Sequence, residues 1–179
     1  MNGAIFFASK YGSTAQYAEW ISEATGLPVF DVKNATADPS AYDYLILVSP
    51  VYYFRLVIKK WIRRNLIKIE NKPIIMVTVS GAPAGPRLTA WIGKSLPEDF
   101  ISRMQHFALG GRQNPKGITW YDWVMLRIGA RMNPDPVARK QELKGFDFLD
   151  KSNIDPIVAQ VRKLQPKGAA PSLSADQTR

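Results

Sequence analysis

Cysteine is absent from the 179 residues, which removes disulfides, thiolate-held iron–sulfur clusters, thiolate zinc sites and thiol nucleophiles together. Any redox chemistry has to come from a bound cofactor. Histidine occurs once, at His106, so a multi-histidine metal site has no material and a serine hydrolase triad is disfavoured. Asp and Glu show no metal-ligand spacing. No apolar run approaches the roughly 18 residues that a membrane-spanning helix needs. Met1-Asn2-Gly3 leads directly into a short apolar run, without the basic region, long apolar stretch and cleavage site of a secretory leader. Neither export nor a bilayer crossing is expected. Acid is also in short supply: 15 Asp and Glu against 24 Lys and Arg leave a net charge of +9, which points to an anionic partner.

What is present is enough for one folded domain. At 20.1 kDa, with 46% hydrophobic and 22% charged residues, the chain can build one sizeable core. Its positive charge is concentrated in two places. Residues 55–72 carry seven basic side chains (Arg55, Lys59, Lys60, Arg63, Arg64, Lys68, Lys72) against Glu70 alone. Residues 112–144 carry seven more (Arg112, Lys116, Arg127, Arg131, Arg139, Lys140, Lys144) against Asp122, Asp135 and Glu142. The rest of the chain is close to neutral.

Short apolar runs alternate with amphipathic segments. Ala4 to Ala8, Tyr44 to Val48 and Pro73 to Val79 lack polar alternation and read as strands buried on both faces; Val29 to Val32 and Gln105 to Leu109 read as further strands. Between them, Thr14 to Thr25 and Leu56 to Ile69 have helical period, the second with Ile58, Trp61, Ile62, Leu66 and Ile69 on one side and its lysines and arginines on the other. Residues 88–104 read as helix interrupted at Gly93 and Pro97, and a last helix falls near Ile154 to Leu164. The pattern predicts an α/β fold: a doubly wound parallel sheet with helices on both faces. The tail at 166–179 reads as flexible.

In such a sheet, ligands bind beyond the carboxyl ends of the strands. The first strand-end loop, Ser9-Lys10-Tyr11-Gly12-Ser13-Thr14, runs straight into a helix start, where free amides, hydroxyls and the helix dipole suit a phosphate. It has neither the dinucleotide glycine fingerprint nor a P-loop ending. After the next buried strand, Ser49-Pro50-Val51-Tyr52-Tyr53-Phe54 supplies aromatics for a wall. The third loop, Ser80-Gly81-Ala82-Pro83, offers main-chain amides to the edge of a flat heterocycle. Together they describe a flavin mononucleotide pocket.

In strand order and in the Ser9-x-x-Gly12-x-Thr14 and Pro50-x-Tyr52 loops, the sequence resembles the flavodoxin superfamily over about residues 3–165. Tyr11 stands where that family's phosphate loop has a threonine. Within the superfamily it is most similar to the flavodoxin-type, menaquinone-dependent protoporphyrinogen dehydrogenases, through the form of the first loop and through Gly110-Gly111-Arg112 leading to Trp120-Tyr121-Asp122. The resemblance implies a five-stranded flavodoxin-like FMN-binding domain at 1–165 with an added helix near 119–132, FMN as redox centre, and oxidation of protoporphyrinogen IX with quinone as acceptor. The flavin would do the chemistry, with no catalytic side chain and no metal. FMN would be held by Ser9, Lys10, Tyr11, Gly12, Ser13, Thr14, Pro50, Val51, Tyr52, Tyr53, Ser80, Gly81 and Ala82. It further implies a cytoplasmic protein that can sit at the inner face of the cell membrane.

Thr119 and Asp122 form a capping-box-like start for this added helix. Trp120, Tyr121, Trp123, Val124, Met125, Leu126, Ile128, Ala130 and Met132 give it more apolar surface than one face against a sheet requires. Two readings stand: a helix buried against an oligomer partner, or an interfacial helix whose tryptophans and arginines meet lipid head groups. Arg112, Lys116, Trp120, Trp123, Arg127 and Arg131 are the candidates for porphyrinogen carboxylates or membrane. His106, inside an apolar run, reads as structural. An ordinary flavodoxin-type electron carrier, or another FMN-dependent quinone reductase, is the alternative, although carriers of that family are strongly acidic. A nucleic-acid module does not explain the order of the strand-end loops.

Overall fold

The computed structural model describes residues 1–114, 117–132 and 144–165. Lys116, Arg139, Lys140 and the 166–179 tail lie outside the described residues. The elements run β1 (Gly3–Phe7), α1 (Ser13–Thr25), β2 (Val29–Asp31), β3 (Tyr44–Tyr52), β4 (Arg55–Leu56), α2 (Lys59–Ile69) and β5 (Ile74–Ser80), then α3 (Pro86–Gly93), α4 (Glu98–Arg103), β6 (Met104–Gly110), β7 (Arg112–Gln113), α5 (Trp120–Met132), β8 (Phe146–Asp147) and α6 (Asp155–Leu164).

Five strands pair in the order β2-β1-β3-β5-β6, all parallel, with β4 folded back antiparallel on β3. This is the flavodoxin-like order, in which the chain reverses direction across the sheet at β1 and β3. The apolar runs are explained by burial on both sides. Ile5, Ile46, Val48, Ile75, Val77 and Val79 point to the layer holding Tyr17 and Ile21 of α1 and Ile157 and Val161 of α6. Their neighbours Phe6, Leu45, Leu47 and Met76 point to the opposite layer, with Ile62 and Ile69 of α2, Leu88 and Ile92 of α3 and Phe100 of α4. Successive side chains alternate between faces, and both faces are covered, so no polar residue is needed between them.

Two expectations change. Ser49 and Pro50 do not end the third strand: β3 continues to Tyr52, with Pro50 in register with Val79. The Pro50 carbonyl accepts from Val57 N–H at 3.2 Å, and Ser49 Oγ accepts from Ile58 N–H at 3.2 Å. These bonds turn the chain into the β3–β4 hairpin, so Leu56 pairs with Val51 and α2 begins only at Lys59. The predicted break at 88–104 is real and yields α3 and α4 separated around Pro97.

Candidate functional site

The carboxyl ends of β1, β3 and β5 lie side by side because those strands are neighbours in the sheet. Their loops therefore meet. At the first, Gly12 precedes α1 with φ 92°, a left-handed conformation that a side chain would strain. A Cβ built on Gly12 meets nothing within 4 Å. The space above this backbone is open. Gly12 N–H donates to Ser9 Oγ at 3.2 Å, and α1 begins without a side-chain cap, which leaves its amide end for a ligand. Thr14 is buried here. Ser13, expected to offer its hydroxyl to the ligand, instead exchanges bonds with the Arg112 backbone: Arg112 N–H donates to Ser13 Oγ at 3.2 Å, and that hydroxyl donates to the Arg112 carbonyl at 3.3 Å.

The aromatic group is a hairpin rather than an open loop. Pro50, Val51 and Tyr52 belong to β3, and the turn is made by Tyr53 and Phe54, both left-handed at φ 49° and 63°. Such a turn matches the twist of a two-residue hairpin but is costly for bulky residues. Tyr52 lies edge-on to Tyr11, their centroids 5.9 Å apart, which joins the first two loops. The Lys10 ammonium lies 5.4 Å from the Tyr11 ring centre and 5.9 Å from that of Tyr52. Phe54 packs on Trp91 of α3.

At the third loop, Ser80 Oγ donates to the Ala82 carbonyl at 2.9 Å and the Ser80 carbonyl accepts from Gly111 N–H at 2.9 Å. Gly81 lies under the Phe146 ring, closely enough that a Cβ would collide with it. Phe146 stacks on Phe148 at 4.9 Å. The β7–β8 ribbon thus passes over the strand ends, tied to Ser80 through Gly111, to Ser13 through Arg112, and against Gly81 through Phe146.

One residue links the first two loops to α5. The Asp122 N–H donates to Thr119 Oγ1 at 3.3 Å, so that Thr119 caps α5, and this leaves the Asp122 carboxylate to accept from the hydroxyls of Tyr11 and Tyr53 and to pair with the Lys10 ammonium. Burial works to raise its pKa, but the donors from Lys10, Tyr11, Tyr53 and Thr119 outweigh it and hold the carboxyl down at about 2. For Lys10 burial pulls the other way, and the Asp122 carboxylate overcomes it to raise the ammonium. Burial, with Tyr11 and Asp122 nearby, pushes the Tyr52 hydroxyl up to about 12, and burial with the Asp122 bond pushes Tyr53 further up. Both tyrosines are therefore neutral hydrogen-bond donors at neutral pH.

Residues 4–138 match the family described as the flavodoxin domain. The chain belongs to the flavodoxin family. The flavodoxin of Fusobacterium nucleatum bound to flavin mononucleotide is 16% identical, with 91% of this chain and 98% of that chain covered at a TM-score of 0.51. A flavoprotein of Lactobacillus acidophilus in complex with FMN is 11% identical over 61% of this chain and 91% of that one, TM-score 0.43. The Trp repressor binding protein of Bacillus subtilis is 13% identical over 83% and 100%, TM-score 0.47. No curated protein matches the chain.

The donor set of this flavodoxin-family chain fits FMN. It has an uncapped helix start beside a left-handed glycine, tyrosines at the mouth, and a small-residue loop beyond β5. Of the residues proposed from sequence, Lys10, Tyr11, Tyr52 and Tyr53 converge in space. Ser9, Gly12 and Thr14 stand at the start of α1, Ser80–Ala82 sit on the adjacent strand end, and Pro50 and Val51 serve the hairpin backbone. Trp120 and Trp123 are exposed on α5, with Arg127 stacked 4.7 Å over the Trp123 ring, and Arg131 is exposed at its end. Arg112 faces Asp147 at 3.8 Å. His106 on β6 bonds Thr78 Oγ1 at 2.8 Å. Sequence reasoning saw Asp122 only as a helix cap and missed Phe146. An acid set between Lys116 and Arg127 in the second basic stretch was the available signal for Asp122; nothing local marks Phe146, whose partner is 65 positions away in the chain.

Proposed function

We propose that this chain is an FMN-dependent oxidoreductase of the protoporphyrinogen dehydrogenase type, passing electrons to a quinone at a membrane surface. FMN, when bound, supplies the acceptor for electrons and hydrogen leaving the substrate. The chain's own residues position and select. The α1 start with Gly12 and Thr14 would hold the phosphate, Tyr52 and Tyr53 would border the flavin, and the Ser80–Ala82 backbone would meet its polar edge. Tyr53, held in its neutral form, borders the site without releasing a proton itself.

The observation that carries the reading is α5. It stands beside the flavin mouth and presents Trp120, Tyr121, Trp123, Val124 and Ile128 to solvent together with Arg127 and Arg131. Aromatic and apolar groups mixed with cations suit a large flat substrate bearing carboxylates, and an anionic lipid surface from which quinone can be drawn. No helix among the described residues is long and apolar enough to cross a membrane, so contact of this kind would be peripheral. The basic face of α2 adds attraction of about 1 kcal/mol per cation near anionic lipid.

The test is consumption of protoporphyrinogen IX by the FMN-loaded protein with a menaquinone analogue under anaerobic conditions. Turnover that depends on the quinone is the expected result. Background turnover by a protein that nevertheless holds FMN would overturn the dehydrogenase reading in favour of an electron carrier or another quinone reductase.

A further inference from the structure

The Asp122 carboxylate gathers donors from both sides of the mouth: Lys10 and Tyr11 from the loop after β1, and Tyr53 from the turn after β3. Its own helix is otherwise poorly anchored, since the large apolar side chains of α5 point largely outward while Asp122 is buried. Thr119 N–H donates to the Tyr11 hydroxyl at 3.3 Å, a further bond between this end of α5 and the same loop. Tyr53 meanwhile keeps a left-handed backbone, as does its neighbour Phe54, a conformation such residues hold only when something else fixes them. One carboxylate therefore sets both the seat of α5 and the shape of the aromatic turn.

The same carboxylate pairs with Lys10, a cation of the loop that leads into α1. We propose that Asp122 is a latch, which closes α5 over the mouth between the two loops and competes for Lys10 with the phosphate monoester of the flavin. This deepens the flavin reading and rests on it. A phosphate arriving at the start of α1 is drawn by the amides and the dipole, and Lys10, a residue of that same loop, is a cation for it to draw on. Two anions sharing one cation in a partly buried site repel, so phosphate binding loosens the latch. By linkage the latched state weakens phosphate binding by the same factor. The contested partner is Lys10, so the device acts more strongly on a flavin that carries the phosphate than on one that lacks it.

The test compares FMN with riboflavin, which lacks the phosphate, by quenching of flavin fluorescence in the wild-type chain and in Asp122→Asn. The variant keeps the shape and loses the charge. FMN is expected to bind about tenfold tighter in the variant and to shift more than riboflavin does. Equal shifts for both flavins, or FMN unchanged or weakened, would overturn the proposal. A second measurement needs no flavin: tryptic cleavage after Arg127 reports release of α5. Inorganic phosphate is expected to speed cleavage of the wild type, while Asp122→Asn is already fast and indifferent to phosphate. Tyr53→Phe, which removes one latch bond without touching the cradle, should fall between them, and covers the case in which Asp122→Asn does not fold. Cleavage indifferent to phosphate in the wild type and unchanged in Tyr53→Phe would also overturn the latch. A wild type that binds neither flavin but shows phosphate-dependent cleavage would instead sink the flavin reading and leave the latch standing.

Discussion

Helix α2 buries Ile62 and Ile69 against the sheet and turns Lys60, Arg63, Arg64 and Lys68 to solvent, whereas α5 buries Asp122 and turns Trp120, Tyr121, Trp123, Val124 and Ile128 outward. Both lie in the basic stretches that give the chain its charge. The first is an ordinary amphipathic helix whose packing is explained inside the molecule. The second is inverted, fixed by polar bonds and apolar where it meets water. Basic composition alone would have treated the two as equivalent; burial separates a helix that builds the core from one whose large apolar residues are exposed.

The largest effect expected from this contrast is on stability. Ile62→Ala should cost about 2–5 kcal/mol in chemical denaturation, while Trp123→Ser, at an exposed position, should cost within about 0.5 kcal/mol. Similar costs for the two would mean that α5 is packed as α2 is. Next comes membrane affinity. Replacing Trp120 and Trp123 together by Ser should lower partitioning onto anionic vesicles by about tenfold or more, since burying each large side chain is worth about 1.5–3 kcal/mol. Unchanged partitioning would count against an interfacial helix and favour a partner subunit on that face. Arg63→Gln on α2 should reduce the same partitioning only about fivefold at low salt and negligibly at high salt; a loss as large as that of the tryptophan variant would make α2 the main contact.

The smallest effect at ordinary pH concerns the latch. The Asp122 carboxyl is lowered from 3.8 to about 2 when α5 is seated. Its contribution is therefore complete above 3.8 and is lost as pH falls through about 2. Tryptophan emission from α5 should stay constant from neutrality down to the usual carboxylate range and change only below it. A transition near neutral pH would assign control of α5 to some other group.

The sheet was legible because its central strands β1, β3 and β5 are apolar on both faces, and Gly26 after α1 and Pro97 before α4 mark helix bounds in the sequence itself. The left-handed turn into α1 was legible for a similar reason: Gly12 stands directly before the helix, in one loop with Ser9. Pro50 misled, since it looks like a strand end and instead stands inside β3, where its carbonyl and the Ser49 hydroxyl are used to form the hairpin. Ser13 misled because its hydroxyl is committed to Arg112, a contact across 99 positions. Asp122 and Phe146 escaped because their roles arise from α5 and the β7–β8 ribbon folding back over the strand ends, and no local period encodes such a return.

The most direct measurement is titration of the purified chain with FMN, followed by flavin fluorescence and visible absorption. Saturable quenching at one FMN per chain, weakened when Thr14 is replaced by Val at the cradle, is the result predicted for a flavin seated at the ends of β1, β3 and β5. A chain that neither quenches FMN nor acquires its absorption would contradict it.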